Sequence, residues 1–141
     1  MTDTLELSPQ AASVSAGRRF VASRLQDMGL DDLVETASLL TSELLTNSVL
    51  HARTAISVSL GQDADGRVEI CVRDGSRFSP RRRRHAQDAT TGRGIELLER
   101  LADSWDVSVD EGGKTIRFIL TVGADPWAAF SAEDFADVVD L

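Results

Sequence analysis

Glu43 and Asn47 are the residues that most directly suggest chemistry, because they stand four positions apart in a segment with helical periodicity. At about 100° per residue they project from nearly the same side of a helix and share one wall of any adjoining pocket. A carboxylate can take a proton from an attacking hydroxyl, and an asparagine oxygen can complete a Mg²⁺ shell without adding charge. The pair fits phosphoryl chemistry, and a solvated helix edge is the competing interpretation.

Two further segments carry residues suited to polar recognition. Asp74 ends an apolar strand pattern and is followed by Gly75, so a carboxylate could accept a hydrogen bond from an exocyclic amine where glycine permits close approach. Gly92, Arg93 and Gly94 stand where a loop leads into a predicted helix, and free N–H groups at such a boundary attract anions such as phosphate. An ordinary Asp-Gly turn and a plain helix start are the alternatives.

The periodicity of the flanking segments predicts the elements that must position these residues. Apolar residues at helical spacing predict a helix over 31–52, and a capped helix is predicted from Pro9 to about Met28. Alternating residues predict a short strand at 4–7 and hairpins around 56–72 and 105–120, with a long loop at 75–93 and a helix at 94–102. This order favours an α/β (α+β) two-layer sandwich, with helices on one face of a mainly antiparallel mixed sheet.

Length and composition limit the classes of protein. With 141 residues the chain is expected to form one domain over 1–123, followed by an acidic tail or short helix over 124–141. Cys71 is the only cysteine, which excludes an internal disulfide and a multi-cysteine metal site. Neither a signal peptide nor a spanning segment is visible, so we expect a cytoplasmic protein without membrane contact.

The charge distribution argues against nucleic acid as a partner. The net charge is −8, whereas binding to a phosphate backbone needs an excess of basic surface. Arg81–Arg84 form a local basic run without interleaved aromatic residues. A nucleic-acid contact through this run is a minor alternative to a lid that meets phosphates or an acidic partner, or to a solvated loop.

Four stretches in this order resemble the histidine-kinase-like ATPase superfamily with its Bergerat ATP-binding fold, and more closely its short anti-sigma-factor kinases. The likeness spans roughly residues 13–121. The stretches are ELLTNSVLHA from Glu43, VRDG from Val72, TGRGI from Thr91 and GGKT from Gly112. The first of them is the best matched and is fairly specific.

The resemblance implies that ATP and Mg²⁺ are bound and assigns a role to each matched residue. Glu43 would be the general base, Asn47 the Mg²⁺ ligand, and Asp74, next to Gly75, would bind the adenine amino group. Gly92, Arg93 and Gly94 would hold phosphates beneath a closing lid, and Thr115 would help to line the adenine pocket. Catalysis would then rest mainly on positioning and on charge neutralisation by the metal.

The resemblance also implies a protein substrate. The chain has no room for the helical dimerisation domain that normally supplies a phosphoacceptor histidine, so the acceptor is expected on another protein. In the resembling kinases it is a serine or threonine of an anti-anti-sigma protein, and the kinase also sequesters a sigma factor. Those kinases commonly form homodimers, although no feature of this sequence requires one.

Two departures from the family pattern keep a second hypothesis open. Ser76 stands where the usual Asp-x-Gly motif has its glycine, and Ala89 stands where the lid motif often has an earlier glycine. The chain would then be a nucleotide-binding interaction module that sequesters a regulatory partner without transferring phosphate. Both hypotheses predict ATP binding, and phosphate transfer distinguishes them.

Overall fold

The computed structural model describes residues 2–76 and 89–122, with backbone alone for residues 89–93. Five strands form one sheet: β1 (Thr2–Leu7), β2 (Ile56–Gln62), β3 (Val68–Asp74), β4 (Ser104–Asp110) and β5 (Gly113–Leu120). Three helices occur in these ranges: α1 (Ala12–Asp27), α2 (Val34–Asn47) and α3 (Ala89–Leu101). The predicted tail over 124–141 and the Arg81–Arg84 run lie outside the described residues.

The sheet has the order β1-β2-β3-β5-β4, and all four pairings are antiparallel. Alternate residues of β3 and β5, such as Ile70 and Phe118, are buried on the face that the helices cover. The intervening side chains, such as Arg117, face away from the helices. The predicted two-layer sandwich is therefore confirmed, and no parallel pair occurs within the described sheet.

The long helix predicted over 31–52 is present but changes pitch along its length. It opens with a 3₁₀ turn at Asp31–Leu33, continues as α2, and ends in a π-helical segment at Ser48–Ala52. The wider turn is closed by the Arg53 N–H, which donates to the Ser48 carbonyl oxygen at 3.3 Å. Arg53 has a φ of 55° and stops the helix. Such π segments often occur beside functional sites, and this one directly follows Asn47.

The start of α3 differs from the prediction. The helix begins at Ala89, five residues before the predicted start at Gly94, because the polar run before Gly94 offers no apolar periodicity to mark it. Gly92, Arg93 and Gly94 consequently lie within the opening turns of α3 and not at a loop boundary. The remainder of α3 follows the prediction, since Ile95, Leu98 and Leu101 are buried among α2 and the sheet.

None of the helices in residues 2–76 and 89–122 combines the length and the apolar character needed to cross a membrane.

Candidate functional site

Asp74 is the buried anchor of the candidate site. The alternation of β3 turns its side chain towards the helices, and only 1% of that side chain is exposed. The Ser48 hydroxyl donates to Asp74 Oδ2 at 2.6 Å, and the Ser76 N–H donates to Oδ1 at 2.9 Å. Lys114 Nζ lies 3.2 Å from Oδ2. The carboxylate therefore accepts two hydrogen bonds and forms one ion pair, with partners from three different segments of the chain.

The register of β3 and β5 decides which side chain of the last strand joins this site. Lys114 is directly opposite Asp74, and residues that are paired across strands share one face of a sheet. Thr115, its neighbour, faces the other side, where it accepts a hydrogen bond from Arg73 Nη1 at 3.0 Å. The structure thus brings Lys114 to the site and does not bring Thr115.

Lys114 and Ser48 are site residues that the sequence reasoning missed. Lys114 and the buried Ile116 and Phe118 occupy alternate positions along β5 and so share one face of the sheet. A lysine on that apolar face indicates a buried charge partner and could have been noticed in the sequence. Ser48 directly follows Asn47 and was passed over because a helical serine is usually unremarkable. Only the fold shows that its hydroxyl links the start of the π-helical segment to the end of β3.

Gly75 is held where β3 leaves the sheet. Its N–H donates to Thr54 Oγ1 at 2.6 Å, which ties the loop after β3 to the segment after the π-helical turn. A Cβ on Gly75 would lie 2.9 Å from Thr54 Cγ2, tighter than ordinary van der Waals contact. Glycine at this position therefore allows two chain segments to approach, and it places Thr54 next to the candidate site.

Glu43 and Asn47 share the helix face that α3 crosses, as their spacing predicts. Glu43 is buried with 8% exposure. A Cβ on Gly94 would lie 3.0 Å from Asn47 Nδ2 and 4.0 Å from Glu43 Cβ. A side chain at Gly94 would press on the Asn47 amide, and the crossing brings three of the predicted site residues together.

The Asn47 amide has the features of a ligand for a hard cation. Its Oδ1 atom is buried and accepts no hydrogen bond within the described part of the chain, which is costly unless another group takes the lone pairs. No cluster of three or more His, Cys, Asp or Glu side chains occurs among residues 2–76 and 89–122. Mg²⁺, which is typically held by one or two protein oxygens plus phosphates and water, fits this donor set.

The start of α3 supplies backbone donors near Gly94. In a regular α-helix the N–H groups of the residue before the helix and of its first three residues lack an intrahelical acceptor, and within α3 these are residues 89–91. Gly92 and Arg93 follow directly, and both are placed by their backbone alone. The predicted phosphate contacts of Gly92 and Arg93 remain predictions.

Comparison with known protein families assigns the chain to one of them. Residues 7–120 match the histidine kinase-like ATPase domain, and the chain belongs to this family. No significant match was found among curated proteins.

Solved structures agree with this assignment at the level of the fold. The RsbU and RsbW domains of Rv1364c from Mycobacterium tuberculosis align with a TM-score of 0.63 and 17% identity, covering 83% of this chain and 32% of that one. The histidine kinase domain of the Erythrobacter litoralis EL346 blue-light activated histidine kinase aligns at 0.50 and 19% identity, covering 68% and 48% respectively. The chain therefore spans less than half the length of either of these proteins.

Cys71 lies on the sheet face opposite the site and is not a candidate nucleophile. Burial, followed by the negative charge of Glu69, raises the pKa of its thiol from 9.0 to about 11. A raised pKa disfavours the thiolate, which is the reactive form. The thiol therefore stays protonated at neutral pH.

Alkylation of Cys71 by iodoacetamide at neutral pH is expected to be about a hundredfold slower in the folded protein than in urea, since the thiolate fraction falls tenfold per unit of pKa. Mass spectrometry of timed samples measures both rates. Glu69→Gln removes one of the two main causes of the raised pKa and should recover part of the difference. Equal folded and unfolded rates would contradict the burial of this thiol.

Proposed function

We propose that this chain is an ATP-binding regulatory serine/threonine-protein kinase of the anti-sigma-factor type, which transfers the γ-phosphate of ATP to a partner protein. The observation that carries the proposal is that the end of α2 links the predicted site residues: Asn47 lies against Gly94 of α3, and the next residue, Ser48, binds Asp74 at the end of β3. Membership in an ATPase domain family implies ATP as the ligand. The fold similarity to a protein with an RsbW domain supports the regulatory type.

Each residue has a role in this proposal that follows from its surroundings. Asp74 has acceptor capacity on Oδ1 beyond the Ser76 bond and would receive the adenine amino group. Asn47 would hold Mg²⁺ through its unpartnered oxygen. Gly94, with Gly92 and Arg93 directly before it in α3, would hold the phosphates beside α2.

Glu43 is the general base of the proposed transfer. It lies one helical turn before Asn47 on the same face, so a hydroxyl directed at the terminal phosphate from this side would meet its carboxylate. When bound, Mg²⁺ supplies charge neutralisation on the phosphate oxygens. The protein positions the phosphate chain and removes the proton from the attacking hydroxyl.

The proposed acceptor is a serine or threonine of an anti-anti-sigma-like protein, and a sigma factor is a second proposed partner. The protein would act in the cytoplasm, with homodimer formation as a further proposal. Nucleic acid is not a proposed partner, since the net charge of −8 opposes binding to a polyanion.

A nucleotide-binding interaction module without phosphate transfer is the second candidate function. The ion pair between Lys114 and Asp74 favours it, because it occupies part of the carboxylate that would contact the base. Ser76 in the expected glycine position points the same way, although its backbone N–H still binds Asp74. Transfer of labelled phosphate to a cognate partner separates the two functions.

Nucleotide titration with and without Mg²⁺ tests the shared premise. We expect wild-type protein to bind ATP more tightly with Mg²⁺, and Asn47→Ala to lose this metal-dependent gain, because the side-chain oxygen proposed to bind the ion is removed. Asn47→Asp keeps an oxygen at the same place and should retain the dependence. Isothermal calorimetry measures the ATP affinity of the wild type and both variants. A Mg²⁺ effect that survives in Asn47→Ala would contradict the assignment of Asn47 as the Mg²⁺ ligand.

A further inference from the structure

Lys114 is the least buried of the side chains that contact the Asp74 carboxylate. Lys114 is 9% exposed, against 3% for both Asp74 and Ser48. A ligand that contacts this carboxylate would therefore lie beside the ammonium group. The base site consists of an acceptor and a cationic donor next to each other.

The hydrogen bonds already present leave a defined capacity for a ligand. Asp74 Oδ2 accepts a hydrogen bond from Ser48 and forms an ion pair with Lys114 at 3.2 Å. Oδ1 accepts only from the Ser76 N–H among the described residues, so one direction remains. An ammonium group has three donors, so Lys114 can donate to a ligand while its charge stays paired with Asp74.

A carboxylate alone distinguishes purines by the group at position 6. A 6-amino group donates to it, whereas a 6-oxo group would place an oxygen lone pair against a negative charge and leave both groups unpaired. A neighbouring ammonium removes that penalty, because it can donate to the oxo group while the carboxylate accepts from the adjacent ring N–H. The same two side chains can also bind the amino group and the ring nitrogen acceptor of adenine.

We propose that Lys114 is a specificity-determining residue that lets the base site accept both 6-amino and 6-oxo purine nucleotides. This inference rests on the proposed nucleotide site and adds the substrate class. ATP and ITP are the minimal pair of probes, since they differ only at position 6 and in the protonation of the adjacent ring nitrogen.

Competition titrations of the full chain with ATP and ITP, both with Mg²⁺, measure the ratio of the two dissociation constants. The wild-type ratio is expected to stay within about fivefold, and Lys114→Met should raise the preference for ATP by about tenfold or more, as for loss of one charged hydrogen bond. Lys114→Arg retains a cationic donor and should stay near the wild-type ratio. Arg117→Met removes a cation from the opposite face of the same strand and serves as the matched control.

The outcomes separate this inference from the proposed function. If the wild type binds ATP but prefers it over ITP by more than about fiftyfold, the role of Lys114 is overturned and the ATP site stands. This measurement needs no variant, so it decides the matter even if Lys114→Met does not fold. An unchanged ratio in folded Lys114→Met also overturns the inference, and failure of wild type to bind either nucleotide overturns both proposals.

Discussion

Glu43→Gln is expected to lower the rate of phosphate transfer to the partner protein by about 10²–10⁴-fold, the usual contribution of a general base. Glutamine keeps the shape of the side chain but cannot take a proton from the attacking hydroxyl. ATP affinity should change far less, because the proposed nucleotide contacts are those of Asp74 and Asn47. Single-turnover transfer of labelled phosphate, together with ATP titration, measures both quantities.

Glu35→Gln is the matched control for this experiment. Glu35 lies on the same helix but is exposed in its first turn, so the substitution removes the same charge away from the site. Transfer should continue in this variant. Full transfer in Glu43→Gln would remove the general base from the proposal, and absence of transfer in wild type with a cognate partner would favour the interaction module.

Gly113→Ala is expected to destabilise the fold by about 3 kcal/mol or more, since it adds both backbone strain and a steric overlap. Gly113 has a φ of 145°, a region in which residues with a Cβ are strained. A Cβ there would also overlap the Asp74 carbonyl oxygen and approach Gly75 Cα to 2.8 Å. Urea denaturation followed by circular dichroism measures the free energy of unfolding.

Two other glycines separate the causes of that loss. A Cβ on Gly112 would mainly meet the end of the Arg73 side chain, which can move, so Gly112→Ala should cost about 0.5 kcal/mol or less. Gly29 has a φ of 75° with nothing within 4 Å of the added atom, so Gly29→Ala reports backbone strain alone, about 1 kcal/mol. If Gly113→Ala is as stable as Gly29→Ala, the close approach of β5 to the end of β3 is contradicted.

The two layers of the sandwich and the pairing of Glu43 with Asn47 on α2 could be predicted from the sequence, because both depend on local periodicity. Alternation in β3 and β5 and the four-residue spacing of Glu43 and Asn47 are visible without any tertiary contact. The start of α3 was misplaced because its opening turns carry small and polar residues. Their helical state depends on the rest of α3 packing on α2, which periodicity does not report.

The residues that line the inner wall of the site could be identified only from the fold. Thr115 was assigned to the pocket through the resemblance, whereas the register with β3 turns Lys114 inward. A one-residue difference along a strand exchanges its two faces, so motif matching alone cannot resolve it. The contact between Ser48 and Asp74 joins residues 26 positions apart in the chain, and such a pairing follows from topology and not from local pattern.

The bond between Ser48 and Asp74 has a thermodynamic consequence. Ser48 and the proposed metal ligand Asn47 are joined by one peptide unit, so a displacement of that unit alters both ends of the bound nucleotide at once. Linkage then requires reciprocity: whatever factor the ion adds to affinity for the base, the base must add to affinity for the ion. The ATP-dependent gain in Mg²⁺ affinity and the Mg²⁺-dependent gain in ATP affinity should therefore be the same factor.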